Sequence, residues 1–265
     1  MKRPLLILLA LLLWVSTAAA QDFAQEQLNA SPRHHAWVEV PAGERSVYSF
    51  VAYPERDAPT PAVIVIHENR GLTDWVRSFT DQLAAAGYLA IAPDLLSGFD
   101  EEHQRTRDFA SSDAARDALY QLDPAQITSD LRAVQAYLAG VPSANGTTVV
   151  MGFCWGGSQT FRYATMADDL AAAMVFYGSP PEEGFEAIQA PIYGFYGEND
   201  ERINATIPAT EERMQALGKT YAYEIYDGAG HAFMRRGAAP EGAAANREAR
   251  AAAWERLERL LAEVE

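Results

Sequence analysis

The sequence predicts an α/β domain, with a mainly parallel central sheet and helices on both of its faces. Three observations lead to that class. Short, continuously apolar runs such as residues 62–66 and 171–177 have the length and composition of strands buried on both faces. Segments with helical spacing separate these runs, and that alternation is the pattern of parallel strands joined by crossover helices. Glycine-containing turns follow several runs and carry a Cys, an Asp and a His, at strand ends where such sheets build their sites.

Taken in order, residues 21–45 are polar with little periodicity and read as an irregular opening segment. Residues 46–53 alternate, as an edge strand does. Residues 62–66 are a buried strand, and residues 75–85 have helical spacing with Gly87 placed to cap the C-terminus. Residues 88–92 form the next strand, ended by Pro93, and the charged residues 97–113 read as an exposed excursion. Asp123-Pro124 opens a helix to Leu138, with Asp as N-cap and Pro in the first turn. Residues 146–151 and 171–177 are buried strands with a helix between them. Residues 192–196 and 221–226 are the last strand-like runs, and residues 208–217 form a helix capped by Gly218. Residues 238–245 are small and read as a mobile loop. The final helix, 246–264, carries Trp254, Leu257, Leu261 and Val264 on one stripe.

Composition narrows the function classes. Lys2 and Arg3 precede the apolar run 5–15, and Ala18-Ala19-Ala20 has the small residues of a cleavage site. Residues 1–20 therefore read as a cleaved secretory signal peptide, and residues 21–265 as one domain that is periplasmic or secreted. No membrane association is expected after cleavage. The formal net charge of −15 repels nucleic acid and anionic membranes, so neither is an expected partner. Cys154 is the only cysteine, which leaves no intramolecular disulfide to form. The five histidines show no metal-ligand spacing, and neither a metal nor an organic cofactor is expected.

The chemistry concentrates in Gly152-Phe153-Cys154-Trp155-Gly156-Gly157, which follows a strand and leads into a helix. That setting is the one the nucleophile elbow G-x-S-x-G requires, here with a thiol in the serine's place. Small residues two positions either side let the backbone close around a side chain lifted onto a sharp turn. Asp200 follows the run 192–196, and His231 follows the run 221–226. Nucleophile, acid, then histidine is the chain order of the α/β-hydrolase triad.

At these residues the chain resembles the dienelactone hydrolase family, over about residues 47–235. The resemblance rests on Gly-x-Cys-x-Gly-Gly at 152–157, Pro93-Asp94-Leu95, Gly-x-x-Asp at 197–200, Gly-His-x-Phe at 230–233, and His67-Glu68-Asn69-Arg70-Gly71. It implies a single-domain α/β-hydrolase fold acting on lactones and other small esters, with Cys154 as nucleophile, His231 as general base and acid, and Asp200 as the orienting carboxylate. It implies an oxyanion hole from the backbone N–H groups of Asn69 and Trp155. It also implies that Glu68 contacts the resting thiol and that Arg235 is half of an arginine pair for a substrate carboxylate. The other half falls at Gly98, leaving Arg70 and Arg77 as candidates for its place. Trp155, Tyr177, Tyr196 and Phe233 are candidate walls of an acyl pocket. Two other readings are a thioesterase and a binding protein that uses the same cleft without turnover.

Overall fold

The computed structural model describes residues 22–265, so the signal peptide expected over 1–20 lies outside the described residues. Eight strands make one sheet: β1 (His35–Ala42), β2 (Arg45–Ala52), β3 (Thr60–Ile66), β4 (Leu89–Pro93), β5 (Ala144–Phe153), β6 (Ala172–Phe176), β7 (Ile192–Gly197) and β8 (Tyr221–Tyr226). Their order across the sheet is β1-β2-β4-β3-β5-β6-β7-β8. β1 and β4 both run antiparallel to β2, and every other neighbouring pair is parallel.

The apolar runs are continuous because both faces of the sheet are covered. Along β3, Val63 and Val65 join one core, while Ile64 and Ile66 join the other, as the two-residue period of a strand dictates. The first core is closed by α1 (residues 22–30), α2 (Asp74–Ala85) and α9 (Ala244–Glu263), which contribute Leu28, Phe79 and Leu257. The second is closed by α4 (Pro124–Leu138), α5 (Trp155–Ala164) and α7 (Ile207–Ala216), through Leu131, Phe161 and Met214. Asp123 caps α4 by accepting from the Ala125 N–H at 2.8 Å, with Pro124 in the first turn, as its sequence predicts. Gly87, just past α2, holds φ +100° and Gly218, just past α7, holds φ +66°, conformations that favour glycine.

Two expectations need correction. The opening segment is not irregular: it holds α1 and the edge strand β1. The strand expected at the edge, β2, is internal and paired on both sides. The missed signal is a hairpin, in which Ala42 pairs with Arg45 across the two residues Gly43-Glu44 and Gly43 takes φ +68°. The excursion after β4 is followed by α3 (Ser112–Leu119), capped by the Ser111 side chain on the Ala114 N–H at 3.1 Å. In residues 238–245, Pro240 O and Gly242 O accept from Arg247 at 2.8 Å and 2.6 Å.

Two side chains inside the architecture carry more than packing. Arg256 on α9 is buried amid the apolar stripe and donates to Gly194 O of β7 at 2.6 Å and Ala222 O of β8 at 3.1 Å. Asp81 on α2 receives Ser31 Oγ, Arg33 Nε and Nη2, and His35 Nε2, all within 2.8 Å. That one carboxylate clasps the N-terminal segment to the body of the fold.

Candidate active site

Cys154 stands between the end of β5 and the first turn of α5, at φ +57°, ψ −115°. A non-glycine residue there is strained by Cβ crowding, and the fold holds it on both sides. Its N–H donates to Phe176 O at 3.0 Å, and its carbonyl accepts from the Ser158 N–H at 3.1 Å. The glycines are required by approach distance. A Cβ on Gly152 would lie 2.3 Å from Gly156 O, and one on Gly156 would lie 2.3 Å from His67 O. The elbow thus packs its backbone directly on the loop that follows β3.

The structure brings the other two predicted residues together. Asp200, at the end of β7, is buried, and its Oδ2 lies 2.5 Å from His231 Nδ1 in the turn after β8. Cys154 lies near enough to the His231 ring to bear on its titration. Burial by itself would lower the pKa of the ring. Its hydrogen bond to Asp200, with the pull of Asp200 and Cys154 on the charged ring, outweighs burial and raises the pKa to about 9. Ala232, the next residue, holds φ +63°. With Cys154 and Tyr177, it completes the set of non-glycine residues at positive φ among the described residues.

The loop after β3 is set by His67, which is fully buried. His67 Nδ1 donates to Glu68 O at 2.8 Å, and Nε2 accepts from the Leu95 N–H at 3.3 Å, so the ring is a neutral strut. Burial is the dominant influence and lowers its pKa, against Asp94 and the backbone carbonyls. The ring stacks on Trp155 with centroids 5.6 Å apart and planes 11° from parallel. Among the described residues, neither the Asn69 nor the Trp155 N–H donates to a backbone carbonyl. Trp155 belongs to the elbow, and Asn69 to the loop on which the elbow packs. Asp94 explains the Pro-Asp-Leu motif: it accepts from Thr106 N and Oγ1, each at 2.7 Å, and pins the excursion over Gly71.

Glu68 and Arg235 form a buried pair, with Arg235 Nε donating to Glu68 Oε2 at 2.6 Å. Glu68 makes no hydrogen bond to Cys154, and its Oε1 is buried without a hydrogen-bond partner. Arg235 is 11% exposed at its side chain, so it is neither a solvated cation nor a free anion receptor. The candidates for the place lost at Gly98 are also engaged. Arg70 donates to Ser112 Oγ at 2.6 Å, while Arg77 pairs with Asp74. Of the four candidate pocket aromatics, Tyr177, Tyr196 and Phe233 are buried in the core, and only Trp155 is partly open. Sequence reasoning missed Tyr120, 62% exposed at the end of α3, whose hydroxyl accepts from Asn69 Nδ2 at 3.5 Å. Among the described residues no group of three or more His, Cys, Asp or Glu side chains is placed to hold a metal.

A mostly parallel sheet between two helical layers, with an elbow at the end of β5, defines an α/β-hydrolase fold. Residues 47–265 match the dienelactone hydrolase family, and the chain belongs to that family. A relative from Synechocystis sp., named provisionally as a carboxymethylenebutenolidase, is 31% identical over 84% of this chain and 94% of its own. One from Escherichia coli K12 with the same provisional name is 32% identical over 73% of this chain and 75% of its own. Among solved structures, a protein from Klebsiella pneumoniae described provisionally as a dienelactone hydrolase aligns at TM-score 0.76 and 26% identity, covering 88% of this chain and 99% of that one. A promiscuous phosphotriesterase from metagenomic libraries, described as dienelactone hydrolase-like, aligns at TM-score 0.74 and 23% identity, over 88% of this chain and 99% of its own, a likeness of fold alone. The protein is accordingly an ester or lactone hydrolase of dienelactone hydrolase type.

Proposed function

We propose that the protein is an exported cysteine hydrolase that cleaves small carboxylic esters or lactones through a thioester acyl-enzyme. The observation that carries this reading is His231, held by Asp200 at 2.5 Å and near enough to Cys154 that the thiol bears on its titration, beside the elbow. In its neutral form, whose share grows as pH rises toward about 9, His231 takes the thiol proton as Cys154 Sγ bonds to the substrate carbonyl carbon. The electron pair moves onto the carbonyl oxygen, which the Asn69 and Trp155 N–H groups receive. As the tetrahedral species collapses, the C–O bond to the leaving group breaks and His231 returns its proton to that alkoxide. Water then attacks the thioester with His231 as base, releasing the acid and restoring the thiol. Asp200 fixes the ring so that Nε2 faces the reaction. Export rests on the signal-like composition of residues 1–20.

The test is hydrolysis of p-nitrophenyl acetate and butyrate by the mature chain and its Cys154→Ala variant. Loss of turnover in the variant, with an acetylated intact-mass species in the wild type, is the expected result. Equal turnover in both would place the nucleophile elsewhere. Glu68 is proposed to modulate the thiol from its pair with Arg235. Glu68→Gln should change the rate of Cys154 alkylation by iodoacetamide several-fold, and an unchanged rate removes Glu68 from that role.

A further inference from the structure

We propose that a cavity beside Leu72 and the start of α2 binds a small oxyanion: a carboxylate or inorganic phosphate. The cavity measures about 120 Å³ and lies between Trp37 of β1, Leu72 and three arginines, Arg77, Arg105 and Arg107. Asp74 and Asp94 complete the lining, Arg77 pairs with Asp74, and Arg107 is largely exposed and pairs with Asp108 at 3.8 Å, which leaves Arg105 as the unpaired cation on a chain of net charge −15.

Arg105 carries the inference. Its guanidinium lies 3.8 Å from the Tyr48 ring centroid and 5.2 Å from that of Trp37. Among the described residues no carboxylate pairs with that group and it donates no hydrogen bond. Stacking on two aromatic faces fixes the plane of a guanidinium while leaving its donor edge unused. An unpaired, oriented guanidinium suits the paired oxygens of a carboxylate or phosphate. The cavity's own carboxylates do not fill that role. Asp74 is taken by Arg77, while both oxygens of Asp94 are taken by Leu96 N, Thr106 N and Thr106 Oγ1. The 12-residue helix α2 also begins here, and Thr73 provides no side-chain cap.

The cavity is separate from the candidate catalytic centre. Tyr48 belongs to β2, and its carbonyl accepts from the Asp94 N–H at the end of β4. In the sheet, β2 lies three strands from β5, a lateral offset of about 14 Å at the usual strand spacing. The two places are nevertheless joined. Leu72 N donates to Thr106 Oγ1, and Thr106 sits so close over Gly71 that a Cβ there would fall 2.2 Å from its hydroxyl. An occupant would brace the segment between Arg105 and the loop that contains Asn69. Its size is limited to a few heavy atoms, below the range of nucleotide or drug-sized pockets. Trp37 also lies outside the family match at 47–265, so part of this cavity is built by a strand which that match does not reach.

The experiment is isothermal titration of the full chain with sodium phosphate and with sodium acetate, at ionic strength held constant with chloride. Tryptophan emission is followed in parallel on wild type and Trp37→Phe. Saturable binding that weakens at least tenfold in Arg105→Gln, with an emission change lost in Trp37→Phe, is expected. Binding of phosphate alone or acetate alone supports the site and identifies its anion. No saturable binding of either anion overturns the proposal, as does equal affinity in Arg105→Gln. If Arg105→Gln fails to fold, Arg107→Gln is titrated in its place, and unchanged affinity there overturns it. Turnover of esters enters none of these readouts, so the outcome is independent of the role proposed for Cys154.

Discussion

His231 titrates near 9 in the folded chain and near 6.5 when unfolded, and that difference couples the site to stability. Because the folded value is raised, the contribution is complete below pH 6.5 and disappears as pH climbs through about 9. The stability gap between wild type and His231→Gln should therefore be wide at pH 6 and narrow by pH 10, as read from urea midpoints. NMR titration of the ring should give about 9 in wild type and a lower value in Asp200→Asn, which loses the strongest raising influence. The three predicted residues were legible because each sits in a short motif with a fixed relation to a strand end. Glu68 and Arg235 were not legible as a pair. They lie 167 residues apart, and nothing local marks a carboxylate for a distant guanidinium.

The N-terminal hairpin and α1 add an outer margin to the sheet, and Asp81 is where that margin is fastened. Burial pushes the Asp81 carboxyl pKa upward, but hydrogen bonds from Arg33, His35 and Ser31 outweigh it and leave the value below the ordinary one. A lowered value means that the stabilisation is present above about pH 3.8 and is lost as pH falls through the folded pKa. Asp81→Ala leaves Arg33 without its partner and should cost about 3 kcal/mol, the lower end for breaking a buried pair. Limited proteolysis should then cut within residues 22–42 before the rest of the chain. The interior strands could be read from sequence because burial on both faces makes them uniformly apolar. β1 could not be read as directly: its more open face keeps Trp37, Glu39 and Pro41, and an apolar Trp and a Pro there hide the apolar–polar alternation. α3 hides in the same way among charged residues, its buried face consisting only of Ala115, Ala118 and Leu119.

At the scale of the whole molecule, the net charge of −15 sets how substrates arrive. It opposes an anionic ester over the Debye length, which shrinks from about 30 Å to about 8 Å as salt rises from about 0.01 M to 0.15 M. The kcat/KM for a carboxylate-bearing ester should rise several-fold across that range, while that of a neutral ester of similar size stays constant. The fold class itself was legible, since alternating strands and helices of ordinary length leave few topologies open. One consequence concerns time. The thiol sits after β5, but its imidazole partner is placed only when β7 and β8 have been made and added to the sheet. The two residues are 77 positions apart. At ribosomal speeds that separation is a delay of roughly 4–15 s. Through that interval the growing polypeptide already holds the elbow sequence but has no base to accompany it. Its reactive pair comes into being close to the end of synthesis, when most of the surrounding core has already been made.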